Sequence, residues 1–210
     1  MLIIKLIVII CLITLFIHLI IDNYSKKIPL NIDVEKTVKR VISNKKLRVK
    51  LRIEKGLKAA YDYEKREITV SEGSSVKHVA EVFHELGHAI EDKNTKEHKF
   101  SVWQNLLFYL FKYSLPLAVV LHVLQVRLWL DYLTIPTFIF IGLSIWFFTS
   151  CLIEEVKASK NGYELIKKNV TNDLKILKSI RLCLYNGLNS YIMLFVVSIM
   201  ILVSQIIYLT

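Results

Sequence analysis

The chain has 210 residues, a hydrophobic fraction of 54% and a formal net charge of +10. Its mean hydropathy of +0.45 excludes an ordinary soluble domain. Of the 28 Lys and Arg residues, 18 lie between Asn23 and Asn105 and seven lie between Glu154 and Gly187. Acidic residues are interleaved with these clusters, so the distribution follows the positive-inside rule of membrane proteins and argues against a nucleic-acid-binding protein.

Four apolar segments reach the roughly 20 residues that a helix needs to cross a bilayer. The first, residues 2–21, predicts an uncleaved anchor, because it is longer than a secretory signal core and lacks a small-x-small cleavage site. The others cover 105–126, 132–153 and 188–209, although the second crossing could instead lie nearer 114–130. Placing both basic loops in the cytoplasm puts both termini outside, whereas the opposite topology would export 25 of the 28 basic residues.

The segment after the anchor has the composition of a small water-facing α+β part. Helical spacing covers Val34–Ile42, and strict alternation over Leu47–Ile53 predicts a half-buried strand. A turn at Lys65-Arg66 precedes a second predicted strand, Glu67–Ser71. An exposed edge of these strands could hold an extended peptide, or the strands could form a plain structural hairpin. The sequence leaves both interpretations open.

The stretch Ser75–Asp92 predicts a helix that carries a metal-binding motif, and Ser74 or Ser75 could cap its start. His84 and His88 are one turn apart, opposite an apolar stripe, so both rings can converge on one zinc ion. Glu85 follows the first histidine and points in a different direction around the helix axis. It is therefore free to take a proton from a zinc-activated water.

Two histidines need a third ligand to complete a catalytic zinc site. On a continuing helix, Glu155 shares a narrow face with Ala158, Ser159 and Gly162, so that the small residues allow close approach to the metal helix. Ser159 could then support the site by a hydrogen bond. The alternative is that the Glu154-Glu155 pair only ends a membrane helix, with His98 as a competing ligand. This reasoning leaves Glu155 unresolved.

These motifs together resemble the YugP-type neutral zinc metallopeptidases, a family of bacterial multi-pass membrane zinc proteases. The resemblance covers most of the chain and implies His84, His88 and Glu155 as zinc ligands and Glu85 as the catalytic acid/base. Its matching stretches are Tyr61-Asp62, Ile68-Thr69-Val70-Ser71-Glu72, His84-Glu85-Leu86-Gly87-His88-Ala89-Ile90 and Glu155-Val156-Lys157-Ala158-Ser159.

The chain departs from this family at positions outside the implied metal set. The family usually has a His before its Tyr-Asp pair and a Pro after it, where this chain has Ala60 and Tyr63. An Arg that often follows the ExxAS block is replaced near Lys160-Asn161. These changes affect the expected substrate contacts.

We therefore expect a mainly α, four-helix transmembrane protein with a small cytoplasmic α+β zincin-like part that carries the HExxH helix. The expected activity is that of a gluzincin-like zinc metalloendopeptidase at the cytoplasmic membrane surface, with Zn2+ as cofactor and the bilayer and a protein or peptide substrate as partners. The alternatives are a zinc hydrolase of a non-peptide substrate and an inactive membrane scaffold. The expected segments are an anchor (1–23), a cytoplasmic α+β segment (24–102), a transmembrane hairpin (103–153), a cytoplasmic helical segment with the third ligand (154–187) and a C-terminal transmembrane helix (188–210).

Overall fold

The computed structural model describes residues 2–54, 59–70, 73–94, 102–128 and 131–209. Within these ranges the chain is mainly helical, with one small sheet, as the sequence predicts. The elements in chain order are α1 (Leu2–Lys26), α2 (Val34–Lys45), β1 (Lys50–Ile53), β2 (Ala60–Asp62), β3 (Glu67–Val70), α3 (Val76–Asn94), α4 (Val102–Leu128), α5 (Thr134–Asn169) and α6 (Leu174–Leu209).

The chain divides into two compact units. The membrane-type unit comprises Met1–Leu15, Phe100–Ile153 and Ser190–Thr210, and the sheet-containing unit comprises Phe16–Lys99 and Glu154–Asn189. The helices α1, α5 and α6 contribute residues to both units. The five-segment division expected from the sequence stays a prediction.

Three strands form the sheet, in the order β1-β3-β2. The central strand β3 pairs in parallel with β1 and antiparallel with β2. The turn between β2 and β3 is built locally, because the Asp62 carboxylate accepts the Lys65 N–H at 2.9 Å and Arg66 adopts a left-handed φ of 48°. The sequence predicted two strands and missed β2, so the hairpin of this sheet is β2–β3.

The strand predicted over 47–53 is shorter than its alternation suggested, since β1 covers only its second half. Leu47 follows the left-handed C-cap residue Lys46 of α2, and its N–H donates to the Ile42 carbonyl at 3.0 Å. Ile53, expected on the buried face, is 43% exposed. The predicted strand therefore fails at two places: its first part forms the C-terminal cap of α2, and its last residue is exposed because β1 is an edge strand.

The sheet-containing unit is organised around the apolar face of α3. Ser75 caps this helix, since its hydroxyl accepts the His78 N–H at 3.3 Å. The face packs against α2, the sheet and the parts of α5 and α6 that belong to this unit. Its fully or almost fully buried side chains are Val76, Val79, Ala80, Val82, Phe83 and Leu86.

In the part of the chain that the structure describes, two helical stretches are long and apolar enough to cross a bilayer. They are Asp131–Asn169 and Leu174–Leu209, and among the described residues a shorter apolar stretch, Tyr113–Val126, lies within α4. The sequence predicted four crossings; the length and apolarity of two helices agree with crossings by α5 and α6, and all four crossings stay predictions.

A buried polar cluster links α4, α5 and α6 in the membrane-type unit. His122 Nδ1 hydrogen-bonds to the side-chain carbonyl oxygen of Gln205 at 2.6 Å, and His122 Nε2 hydrogen-bonds to the Ser204 hydroxyl at 2.8 Å. Gln205 donates to Gln125 at 2.7 Å, and Gln125 donates to Thr134 at 2.6 Å. We call these five residues the polar clasp. Because an unpaired polar group is costly in an apolar surrounding, the clasp ties three helices to one register.

Candidate metal centre

The centre lies where α3 and α5 cross at very short range. A Cβ added to Gly87 of α3 would overlap the backbone carbonyl of Ala158 on α5. A Cβ added to Gly162 of α5 would lie 2.5 Å from the backbone carbonyl oxygen of Phe83 on α3. Glycine is thus required on both helices, and the crossing brings the ExxAS stretch against the HExxH motif.

Three side-chain atoms converge at this crossing. His84 Nε2 lies 2.9 Å from Glu155 Oε2 and 3.2 Å from His88 Nε2, and the third separation, His88 Nε2 to Glu155 Oε2, is 3.7 Å. A tetrahedral zinc site with bonds of about 2.0–2.1 Å separates its ligand atoms by roughly 3.3 Å. The observed separations bracket that value, so the three residues could hold a zinc ion.

The second nitrogen of each histidine meets a hydroxyl group. His84 Nδ1 lies 3.1 Å from the Ser159 hydroxyl, and His88 Nδ1 lies 2.7 Å from the Tyr63 hydroxyl. A metal-binding histidine usually donates its other ring N–H to such a partner, which fixes the tautomer that leaves Nε2 for the metal. This donor set therefore fits a metal ion.

Sequence reasoning anticipated one of the two hydroxyls and missed the other. Ser159 follows Glu155 by one helical turn, so its place beside the site could be predicted from helix periodicity. Tyr63 lies in the turn after β2 and reaches His88 only through tertiary structure. Its one signal in the sequence is that it stands where the chain departs from the family pattern.

Burial and charge set the protonation of the two carboxylates near the crossing. Burial raises the pKa of Glu85 to about 7, opposed by the positive field of His84 and by a backbone hydrogen bond from Tyr61. Burial also acts to raise the pKa of Glu155, but the hydrogen bond from His84 and the nearby His88 ring outweigh it and hold that pKa well below its usual range. Glu155 is thus an anion, whereas Glu85 can gain or lose a proton near neutral pH.

Glu154 and three further histidines lie outside this cluster or outside the described ranges. Glu154 is exposed, in contrast to its neighbour in the cluster. His78 is buried on α3 outside the cluster, and His122 belongs to the polar clasp. His98 lies outside the described residues. Asn161, near the expected Arg position, donates to Glu91 at 2.6 Å and so adds another link between α5 and α3.

Comparison with known proteins agrees with this donor set. A family model described as "Putative neutral zinc metallopeptidase" matches residues 1–210, the full length of the chain. No curated protein and no solved structure matches the chain.

Proposed function

The chain belongs to the neutral zinc metallopeptidase family, and on that premise we propose that it is an endopeptidase that hydrolyses peptide bonds at the cytoplasmic membrane surface. The observation that carries the proposal is the convergence of His84, His88 and Glu155 from two helices, at separations suited to zinc. Two histidines that were merely solvated would not explain why the fold brings a carboxylate, 71 residues away in the sequence, to within 2.9 Å of His84.

Within this proposal, each residue of the centre has a distinct task. His84, His88 and Glu155 would hold the ion and leave one position open. Zinc, when bound, would polarise the scissile carbonyl and lower the pKa of a water molecule. Glu85 would accept a proton from the attacking water and deliver it to the leaving amine. In the metal-free protein burial raises the pKa of Glu85 to about 7, which favours a group that can both take up and release a proton.

Placement at the membrane is the second part of the proposal. Two stretches of the described chain, Asp131–Asn169 and Leu174–Leu209, have the length and apolarity of membrane spans. The basic residues cluster on both sides of the HExxH helix and again after Glu154, which favours a cytoplasmic location for the centre. The substrate would then be a protein or peptide that reaches the cytoplasmic face of the bilayer.

The decisive experiment replaces Glu85 by Gln. The amide cannot accept a proton, so Glu85→Gln should retain zinc and lose peptide hydrolysis. The matched control is Glu81→Gln, one turn earlier on α3, which should retain both zinc and turnover. Wild-type turnover in Glu85→Gln would contradict the mechanism.

The same measurements separate the competing functions. Purified wild-type protein that holds zinc but cleaves no peptide would support a hydrolase of a non-peptide substrate. Protein that binds no metal after incubation with zinc would support a membrane scaffold that retains the motif.

A further inference from the structure

We infer that Tyr63 is a positioning residue for the metal, because its hydroxyl holds the His88 ring in the orientation that presents Nε2 to the ion. This inference rests on the proposed function, since it requires a metal at His84, His88 and Glu155. The supporting contact is the 2.7 Å separation of Tyr63 Oη and His88 Nδ1. His88 is itself only 8% exposed, so few other groups can take the place of that hydroxyl.

The chemistry of imidazole gives this contact its direction. A metal bound at Nε2 uses the lone pair of that atom, so the ring proton must lie on Nδ1. Nδ1–H then donates to the Tyr63 oxygen. Ser159 has the same relation to His84, at 3.1 Å. Each histidine of the centre is therefore held by one hydroxyl, one from a helix and one from the turn of a hairpin.

Tyr63 is held in turn by groups that are tied to α3. Its ring packs edge-on against Tyr61, with centroids 4.8 Å apart and an interplanar angle of 67°. The Tyr61 hydroxyl donates to Asp92 at 2.7 Å, and Asp92 lies on α3 one turn beyond His88. Arg66, in the same turn as Tyr63, lies 3.4 Å from the Asp92 carboxylate. The hairpin is thus anchored to the helix whose ligand it orients.

The competing explanation is that Tyr63 only covers His88 with an aromatic ring. The two rings do contact each other, with centroids 5.9 Å apart at 70°. Tyr63→Phe distinguishes the two explanations, because it keeps the ring and removes only the hydroxyl. The side chain is 44% exposed, so this change should leave the fold intact.

The experiment measures zinc affinity by competition with a chelator of known affinity, using the full-length purified protein. The matched control is Tyr163→Phe, which removes a hydroxyl from a half-buried tyrosine that packs against the core of the sheet-containing unit. Tyr63→Phe should weaken zinc binding by about 10- to 100-fold, whereas Tyr163→Phe should bind like the wild type. The cobalt-loaded protein should show a shifted d–d absorption band in Tyr63→Phe alone. The melting temperature of the metal-free protein should be the same in both variants.

Three results would overturn the inference. One is zinc affinity in Tyr63→Phe within twofold of the wild type. Another is an equal loss in both variants, or a loss accompanied by a lower melting temperature of the metal-free Tyr63→Phe, since either would mark a general structural effect. The third is a wild-type protein that binds no zinc, which would remove the proposed function as well. Zinc binding by the wild-type protein therefore distinguishes a failure of this inference alone from a failure of the inference and the proposed function together.

Discussion

Adjacent carboxylates at the start of the second basic region have different surroundings. Glu155 contributes an oxygen to the cluster with His84 and His88, whereas Glu154 is exposed. Glu155→Ala should therefore weaken zinc binding by more than the roughly 10- to 100-fold that an outer hydrogen-bond partner contributes. Glu154→Ala should leave zinc content nearly unchanged. Metal content would be measured on both purified variants after dialysis against a weak chelator.

The reverse pattern, with zinc lost from Glu154→Ala and kept by Glu155→Ala, would mean that the third ligand is wrongly assigned. His98→Ala belongs in the same series, since that residue was the competing candidate in the sequence. It is expected to retain zinc.

At the scale of single residues, the sequence predicted what lies along one helix and missed what lies across elements. The spacing of His84, Glu85 and His88 indicated a zinc-binding motif without any structure. Glu155 remained open on helical geometry alone and came from the resemblance to a family. Tyr63 could not be placed, because its contact with His88 joins a turn to a helix 25 residues away. Periodicity carries no information about such a contact.

Among the elements, the crossing of α3 and α5 has the tightest requirement on side-chain size. Gly162→Ala would place a methyl group 2.5 Å from a backbone oxygen that cannot move by itself, so the helices must separate. The expected loss of stability is at the upper end of about 1–3 kcal/mol, with a lower zinc content because Glu155 moves away from the histidines. Thermal unfolding and metal analysis of the purified variant would measure both effects.

A matched control for this substitution is Gly187→Ala on α6. A Cβ at that position meets nothing within 4 Å, so the change should be neutral or slightly stabilising. Equal destabilisation by both substitutions would show that helix separation at the metal centre is not the cause.

The sequence anticipated this crossing better than it anticipated the sheet. The small residues Ala158, Ser159 and Gly162, which share a helix face with Glu155, indicated close packing against the helix that carries the histidines. The strand β2 gave a weak signal, because it has three residues and only Tyr61 is buried. One buried residue between two more exposed ones is too short a pattern to distinguish a strand from a loop. Its pairing with β3 is a tertiary contact.

For the whole molecule, orientation in the bilayer is the property that the charge pattern predicts most directly. Single cysteines would be introduced as Lys45→Cys, Lys168→Cys and Arg127→Cys in a chain whose own three cysteines are replaced. The first two should be protected from a membrane-impermeant thiol reagent in intact cells, and the third should react. Permeabilised cells, in which all three should be labelled, provide the control. Labelling in the opposite pattern would place the metal centre outside the cell.

The polar clasp has a consequence for the order in which the chain is made. Both described partners of His122 and the donor to the Gln125 side-chain carbonyl lie on α6, which follows α4 and α5 in the chain. Until α6 is made, the hairpin of α4 and α5 keeps the described bond from Gln125 to Thr134, but His122 lacks its two partners on α6. Polar groups without partners are costly in an apolar surrounding, so we expect the hairpin to be less stably packed at that stage. We expect a chain truncated after residue 189 to be degraded faster in pulse-chase labelling than the full-length protein, and equal lifetimes would show that the clasp does not govern assembly.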